Sequence, residues 1–218
     1  REGSKITCET FCEIMKAKLS SAEVNAKIDG MPEDERQKVL SNAVLSAAYQ
    51  CLSKIDAESR TQNNLRKDYN ATFLGYIMKR FGEQWLIISM GIGDGIIGLI
   101  DREDHLQLLS EPDGGEFVGQ TRFITMNEVW NDNPINRVRI HKVSDFGIII
   151  SMSDGVSDPK FETDNNLKNE KIWLDLWNEI VSQVPLSERS EATAQKLCDW
   201  LDFWAKGNHD DRTIVLVY

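Results

Sequence analysis

Three strongly apolar stretches of this chain each adjoin an acidic cluster, and that arrangement limits the folds open to it. Gln84 to Met90 leads into Gly91-Ile92-Gly93-Asp94-Gly95, and Phe146 to Met152 leads into Ser153-Asp154-Gly155-Val156-Ser157-Asp158. The loop Gly207-Asn208-His209-Asp210-Asp211 lies directly before the last apolar run, Thr213 to Tyr218. Short runs rich in Ile, Val and Leu read as strands, and acidic clusters at strand ends can converge on one rim of a sheet. Carboxylates gathered there repel one another unless cations or protons neutralise them. Hard oxygen donors of this kind suit Mg²⁺ or Mn²⁺, and the glycine after Asp94 and after Asp154 lets the backbone turn sharply or come close to an ion. Asp-Gly is also a common hairpin turn, and Asp104, Asp113 and Asp132 are read as plain turns.

The rest of the chain supplies helices at both ends of a strand-rich middle. Residues 5–20 have apolar positions Cys8, Phe11, Cys12, Met15 and Leu19 at helical spacing. After a break at Asp29-Gly30-Met31-Pro32, a second helix is expected from Glu33 to Ile55, with Leu40, Val44, Ala47, Ala48, Cys51, Leu52 and Ile55 on its apolar face. The polar stretch Asp56 to Asp68 reads as a loop. Ala71 to Met78, Gln84 to Met90, Ile96 to Ile100 and Leu106 to Leu109 read as a meander of antiparallel strands with tight turns. Residues 110–136 form a long irregular excursion, followed by strands at Arg137 to Val143 and Gly147 to Met152. Two amphipathic helices, Lys171 to Val184 and Glu188 to Ala205, place Trp173, Trp177, Trp200 and Trp204 at core spacing. Helices grouped outside a set of antiparallel strands define an α+β fold, and 1–218 reads as a single domain.

Composition narrows the function. Lys and Arg number 25 against 35 Asp and Glu, a net charge of −10, which argues against nucleic acid and against an anionic membrane surface as partners. No apolar run approaches the ~20 residues of a membrane-spanning helix. The four cysteines have no zinc spacing and are read as buried thiols in a reducing, cytoplasmic compartment. His105, His141 and His209 have no ligand spacing and are read as solvated or structural.

Taken in order, four segments resemble one family. Ala71-Thr72-Phe73-Leu74-Gly75, Gly93-Asp94-Gly95, Ser153-Asp154-Gly155-Val156-Ser157-Asp158 and Asp210-Asp211-Arg212-Thr213-Ile214-Val215 are similar to motifs of the metal-dependent protein serine/threonine phosphatases of type 2C, in particular their compact bacterial branch. The stretch Gly115 to Thr125 resembles a further segment of that branch. The resemblance implies a four-layer α-β-β-α sandwich of two antiparallel sheets flanked by helices, with two to three Mn²⁺ or Mg²⁺ ions at one end. It implies hydrolysis of phosphoserine and phosphothreonine in a protein substrate by metal-activated water, reversing the work of a Ser/Thr kinase. No side chain acts as nucleophile. By the same resemblance, Asp154 and Asp210 hold the main ion and Asp94 a third one, with Asp158 assisting there. Asp211 and Gly155 stand beside the ligands rather than among them.

The sequence also departs from the family. The first Asp-Gly pair, which bridges two ions, precedes the first long helix in the family, and Arg1-Glu2-Gly3-Ser4 already reads as the entrance to that helix. The chain is therefore expected to be an N-terminally truncated fragment that binds metal poorly, which leaves its own activity open. A non-catalytic, phosphatase-like module that binds a phosphoprotein or signalling partner is the alternative. A two-carboxylate glycosidase ranks last, because these carboxylates sit in polar, Gly-rich turns.

Overall fold

The computed structural model describes residues 2–113, 121–131, 133–188, 190–205, 207 and 210–218. Its contacts divide the chain into two compact units, residues 1–94 with 110–144, and residues 95–109 with 145–218.

The first unit is built on a long helix. Helices α1 (Glu2–Leu19), α2 (Ala22–Asp29) and α3 (Glu33–Thr61) precede the hairpin of β1 (Phe73–Phe81) and β2 (Gln84–Ile92). A short α4 (Asn127–Asn131) and β5 (Val138–Val143) follow, after two strands of the other unit, and the sheet has the order β1-β2-β5. All pairings are antiparallel. Glu33, Asp34 and Glu35 complement the positive end of the α3 dipole. Arg36 ties the helix start to the preceding turn, donating to the carbonyls of Ile28 (3.2 Å) and Met31 (2.9 Å). Leu40, Val44, Ala47, Ala48, Cys51, Leu52 and Ile55 are buried as their spacing requires. The helix then runs past Ile55 to Thr61, where a loop was expected, and Ser59 continues the buried face. Asp56-Ala57-Glu58-Ser59-Arg60-Thr61 holds neither Gly nor Pro to stop it, and Asp56 takes a two-point ion pair from Arg66 (2.6 and 2.9 Å).

The second unit carries β3 (Ile96–Ile100), β4 (Leu106–Leu108), β6 (Ile148–Met152) and β7 (Ile214–Val217), paired antiparallel in the order β4-β3-β6-β7. The expected meander is thus divided: its first hairpin belongs to one sheet and its second to the other, and the chain crosses between them at Gly93-Asp94-Gly95. Helices α5 (Asp154–Phe161), α6 (Glu170–Gln183) and α7 (Glu191–Leu201) belong to the same unit. Trp173 is fully buried, against Phe161 (5.0 Å between ring centroids) and over Gly98, and donates its Nε1–H to the Leu167 carbonyl (2.8 Å). Trp200 is also buried. Trp204 lies beyond the end of α7 and is 83% exposed, so the helical spacing overstated its role in the core. The protein is thus an α+β fold of two antiparallel sheets flanked by helices.

Three of the four cysteines depart from the expectation of burial. Cys8, Cys12 and Cys198 are exposed and only Cys51 is buried. In α1 the buried stripe is Gly3, Ile6, Thr7, Phe11 and Met15, so the helix is rotated from the face that Cys8 and Cys12 suggested. Burial pushes the Cys51 thiol up to about 12, and the thiolate is the reacting form. Its thiolate is therefore scarce at pH 8. Iodoacetamide at pH 8 should label Cys8, Cys12 and Cys198 in the native protein and reach Cys51 only on unfolding. Mass spectrometry of native and urea-treated samples checks this, and rapid native labelling of Cys51 would contradict the packing of α3.

Candidate metal centre

In the second unit the register of β6 and β7 determines where two of the acidic clusters meet. Met152 stands opposite Ile214. One step further, the Ser153 N–H donates to the Thr213 carbonyl (3.1 Å), and the Thr213 N–H donates back to Ser153 Oγ (3.0 Å). Ser153 Oγ also donates to the Asp211 carbonyl (3.2 Å). Asp154 follows at once as the first residue of α5, where the helix dipole favours a carboxylate. This helix had no counterpart in the sequence reading, because Gly155, Ser157, Asp158 and Pro159 are poor helix formers.

Gly155 makes the approach possible. A Cβ at this position would lie 2.5 Å from the Asp211 carbonyl oxygen and 3.2 Å from that of Asp210. The backbones at 155 and 210–211 therefore touch, and only glycine fits between them. Pro159 contributes by what it lacks: with no N–H, it leaves the Gly155 carbonyl without its helical donor. Arg212 Nε takes that place (3.2 Å). The same guanidinium donates to the carbonyls of Leu201 (2.7 Å) and Phe203 and stacks over the Phe203 ring at 4.0 Å. One arginine thus fastens the approach to β7 to α5 and to the end of α7. Sequence reading gave Arg212 no role; its position directly after two aspartates and before a strand was the available signal.

Asp154 Oδ1 accepts from the Gly155 N–H (2.8 Å) and Asp210 Oδ1 from the Asp211 N–H (3.0 Å). Asp210, Asp211 and Asp158 are exposed, with Asp158 one turn along α5 from Asp154. An open groove of about 470 Å³ runs beside Asp158, bordered by Pro159, Glu162, Phe203 and Trp204. Lys160 lines it too, but holds Glu179 at 2.6 and 2.8 Å.

Asp94 belongs to the first unit, at the end of the β2 lead-out, so the three acidic clusters do not all end strands of one sheet. Its Oδ2 accepts the Thr121 hydroxyl, while its Oδ1 is buried without a hydrogen-bond partner among the described residues. Asp113, read above as a plain turn, is instead a junction. Its N–H donates to the Gly93 carbonyl (2.7 Å), and its carboxylate holds both Arg122 (3.1 Å) and Arg137 (2.9 Å). His105 is exposed beside Asp101 (3.3 Å), and His141 lies on β5. His209, Asn208, Asp132 and the Gly115 to Gln120 part of the resembling segment lie outside the described residues.

Among the described residues no three His, Cys, Asp or Glu side chains converge as a ligand group. The side chains present still fit a hard cation on two counts. An orphaned buried carboxylate oxygen at Asp94 calls for a positive partner, and Mg²⁺ is commonly held by one or two carboxylates with water completing its shell.

The comparisons with known proteins agree with this architecture. A solved serine-threonine phosphatase 2C from Toxoplasma gondii superimposes with a TM-score of 0.50 at 11% identity, covering 97% of this chain and 79% of the other. At that identity the match speaks for the fold, which is that of the type 2C phosphatases. Stp1 of Staphylococcus aureus (TM-score 0.46, 13% identity, 95% and 75% covered) and PppA of Pseudomonas aeruginosa (0.47, 11%, 88% and 74%) are also similar. No curated protein matches the sequence. The family profile for protein phosphatase 2C matches residues 1–202, and the chain belongs to that family. Asp94, Asp154 and Asp158 fall inside the matched residues, whereas Asp210 and Asp211 follow them.

Gly155→Ala should force the 210–211 backbone away and destabilise the protein by about 1–3 kcal/mol. Urea unfolding checks the value, and an unchanged midpoint would mean that the close approach is not kept in solution.

Proposed function

We propose that the chain is a Mn²⁺- or Mg²⁺-dependent phosphatase of phosphoserine and phosphothreonine in proteins, with residues 1–218 forming one phosphatase domain. The observation that carries the reading is the meeting of Asp154-Gly155 with Asp210-Asp211 through the β6–β7 register, in a chain of the type 2C family. Asp154 and Asp210 supply the carboxylates for one ion and Asp94 the carboxylate for a further one, while Asp158 lines an open groove one turn along α5 from Asp154. When bound, divalent ions lower the pKa of water and neutralise phosphate oxygens. The chain's own contribution is positional. Ser153 and Thr213 lock the register, Arg212 holds the 210–213 approach against α5, and Gly155 keeps the gap between them narrow.

The natural partner is a phosphoprotein whose phosphorylation a Ser/Thr kinase installs. Free exposed thiols suit the reducing cytoplasm. No helix among the described residues is long and apolar enough to cross a membrane.

The non-catalytic reading retains one observation in its favour, the lack of a three-carboxylate group among the described residues. The test is hydrolysis of p-nitrophenyl phosphate and of a phosphothreonine peptide with and without Mn²⁺. Turnover should require the ion, stop on chelation, and fall at least about a hundredfold in Asp154→Asn. Turnover that Asp154→Asn leaves intact would refute the assignment of that residue. Phosphopeptide binding without any turnover would favour the binding module.

A further inference from the structure

The loop that carries Asp94 is clasped from both sides by residues with no assigned role. Gly93 adopts φ +99°, and a Cβ there would meet Thr72 Cγ2 at 2.4 Å and the Arg122 carbonyl oxygen at 3.0 Å. Asp113 donates to the Gly93 carbonyl and draws Arg122 and Arg137 onto its own carboxylate. Arg122 directly follows Thr121, whose hydroxyl is donated to Asp94 Oδ2. A chain of contacts therefore runs from Arg137, ahead of β5, through Asp113 and Arg122 to Thr121 and Asp94.

The identity of the last partner matters chemically. A guanidinium or ammonium on Asp94 would neutralise it and compete with any ion. A hydroxyl donates one hydrogen bond and leaves the full negative charge in place. The two guanidiniums nearest in this chain of contacts are both engaged by Asp113. Meanwhile Oδ1 of Asp94 is the only carboxylate oxygen among the described residues that is buried without a hydrogen-bond partner; the two other unpartnered atoms are the hydroxyls of Ser41 and Ser151. A charged acceptor in that state is far more costly than a hydroxyl, and a divalent cation is the partner that relieves it.

We propose that Thr121 is a positioning residue for Asp94, its hydroxyl fixing one carboxylate oxygen so that the other stays available to a divalent cation, with Asp113 holding Thr121 in place through Arg122. This rests on the reading of Asp94 as a metal ligand. It extends that reading to residues outside the aspartate motifs, and it explains why a threonine rather than a basic residue stands beside a half-buried carboxylate.

The experiment is a Mn²⁺ titration followed by electron paramagnetic resonance, which counts bound and free ion without any need for turnover. Asp94→Asn should remove one class of site. Thr121→Val, nearly isosteric but without the hydroxyl, should weaken that same class by roughly tenfold to a hundredfold. Thr121→Ser should stay within about threefold of the unaltered protein, because it keeps the donor. Should Thr121→Val fail to fold by circular dichroism, Thr121→Ala carries the same comparison. Loss of the site in Asp94→Asn with wild-type binding in the Thr121 variants would overturn the positioning role and leave the ligand reading standing. Unchanged binding in Asp94→Asn, or no Mn²⁺ bound by the unaltered protein, would overturn both.

Discussion

The approach of the Gly155 backbone to Asp210 and Asp211 is the constraint on which the second unit depends. A gap of 2.5 Å between a Cβ position and a carbonyl oxygen admits no side chain. It is met from three directions. The β6–β7 ladder runs to its last pair at Met152 and Ile214 and is extended by the reciprocal bonds of Ser153 and Thr213. Pro159 releases the Gly155 carbonyl, and Arg212 occupies it. The result is the end of β6, the start of α5 and the approach to β7 in contact, with Asp154 at the helix start and Asp210 and Asp211 on the approach. Packing of uncharged backbone, rather than attraction between side chains, brings the acidic residues together.

Charge then acts on a scaffold already set. With a net charge of −10 the chain has more carboxylates than it can pair. Those with a structural task take cations from within: Asp56 takes Arg66, Asp113 takes Arg122 and Arg137, and Glu179 takes Lys160. Asp94 is treated differently, with a neutral hydroxyl on one oxygen and no partner among the described residues on the other. That contrast within one chain separates carboxylates that fasten the fold from one that no internal cation neutralises among the described residues. A carboxylate oxygen buried without a hydrogen-bond partner is a cost to folding even where its residue is only partly buried.

Much of this was legible in the sequence where periodicity and burial coincide. Ile96 to Ile100 is a strand with the bounds its apolar run gives, and the seven apolar positions of α3 up to Ile55 are all buried. The ordered motifs pointed to the family that the profile match shows. Failures occurred where tertiary contacts override local preference. Asp56 to Thr61 looked like loop because it is polar, yet it is the exposed end of a helix whose inward face ends at Ser59. The helix α5 was invisible because its residues suit turns, and it forms where Arg212 relieves the defect at Pro159. Asp113 looked like a turn because its two arginines lie nine and 24 residues away, beyond any local pattern. Cys8 and Cys12 fit helical spacing, but so do Thr7 and Phe11 one step earlier, and the buried stripe follows the latter.

The same override of local preference by tertiary contacts bears on how the fold is kept at 11% identity. Apolar runs are interchangeable among Ile, Val and Leu, so the strands can drift in sequence while the sheets remain. What cannot drift in the same way are positions where geometry admits one residue type: a glycine 2.5 Å from a carbonyl, a proline that must lack its N–H, an arginine reaching three carbonyls at once. In this chain such positions occur beside the aspartates, at Gly155, and also in the packed interior, at Gly3 against the Tyr69 carbonyl and Gly98 against Trp173. The strands set where the chain can turn, and the few exacting residues at the turns set where charge can be held.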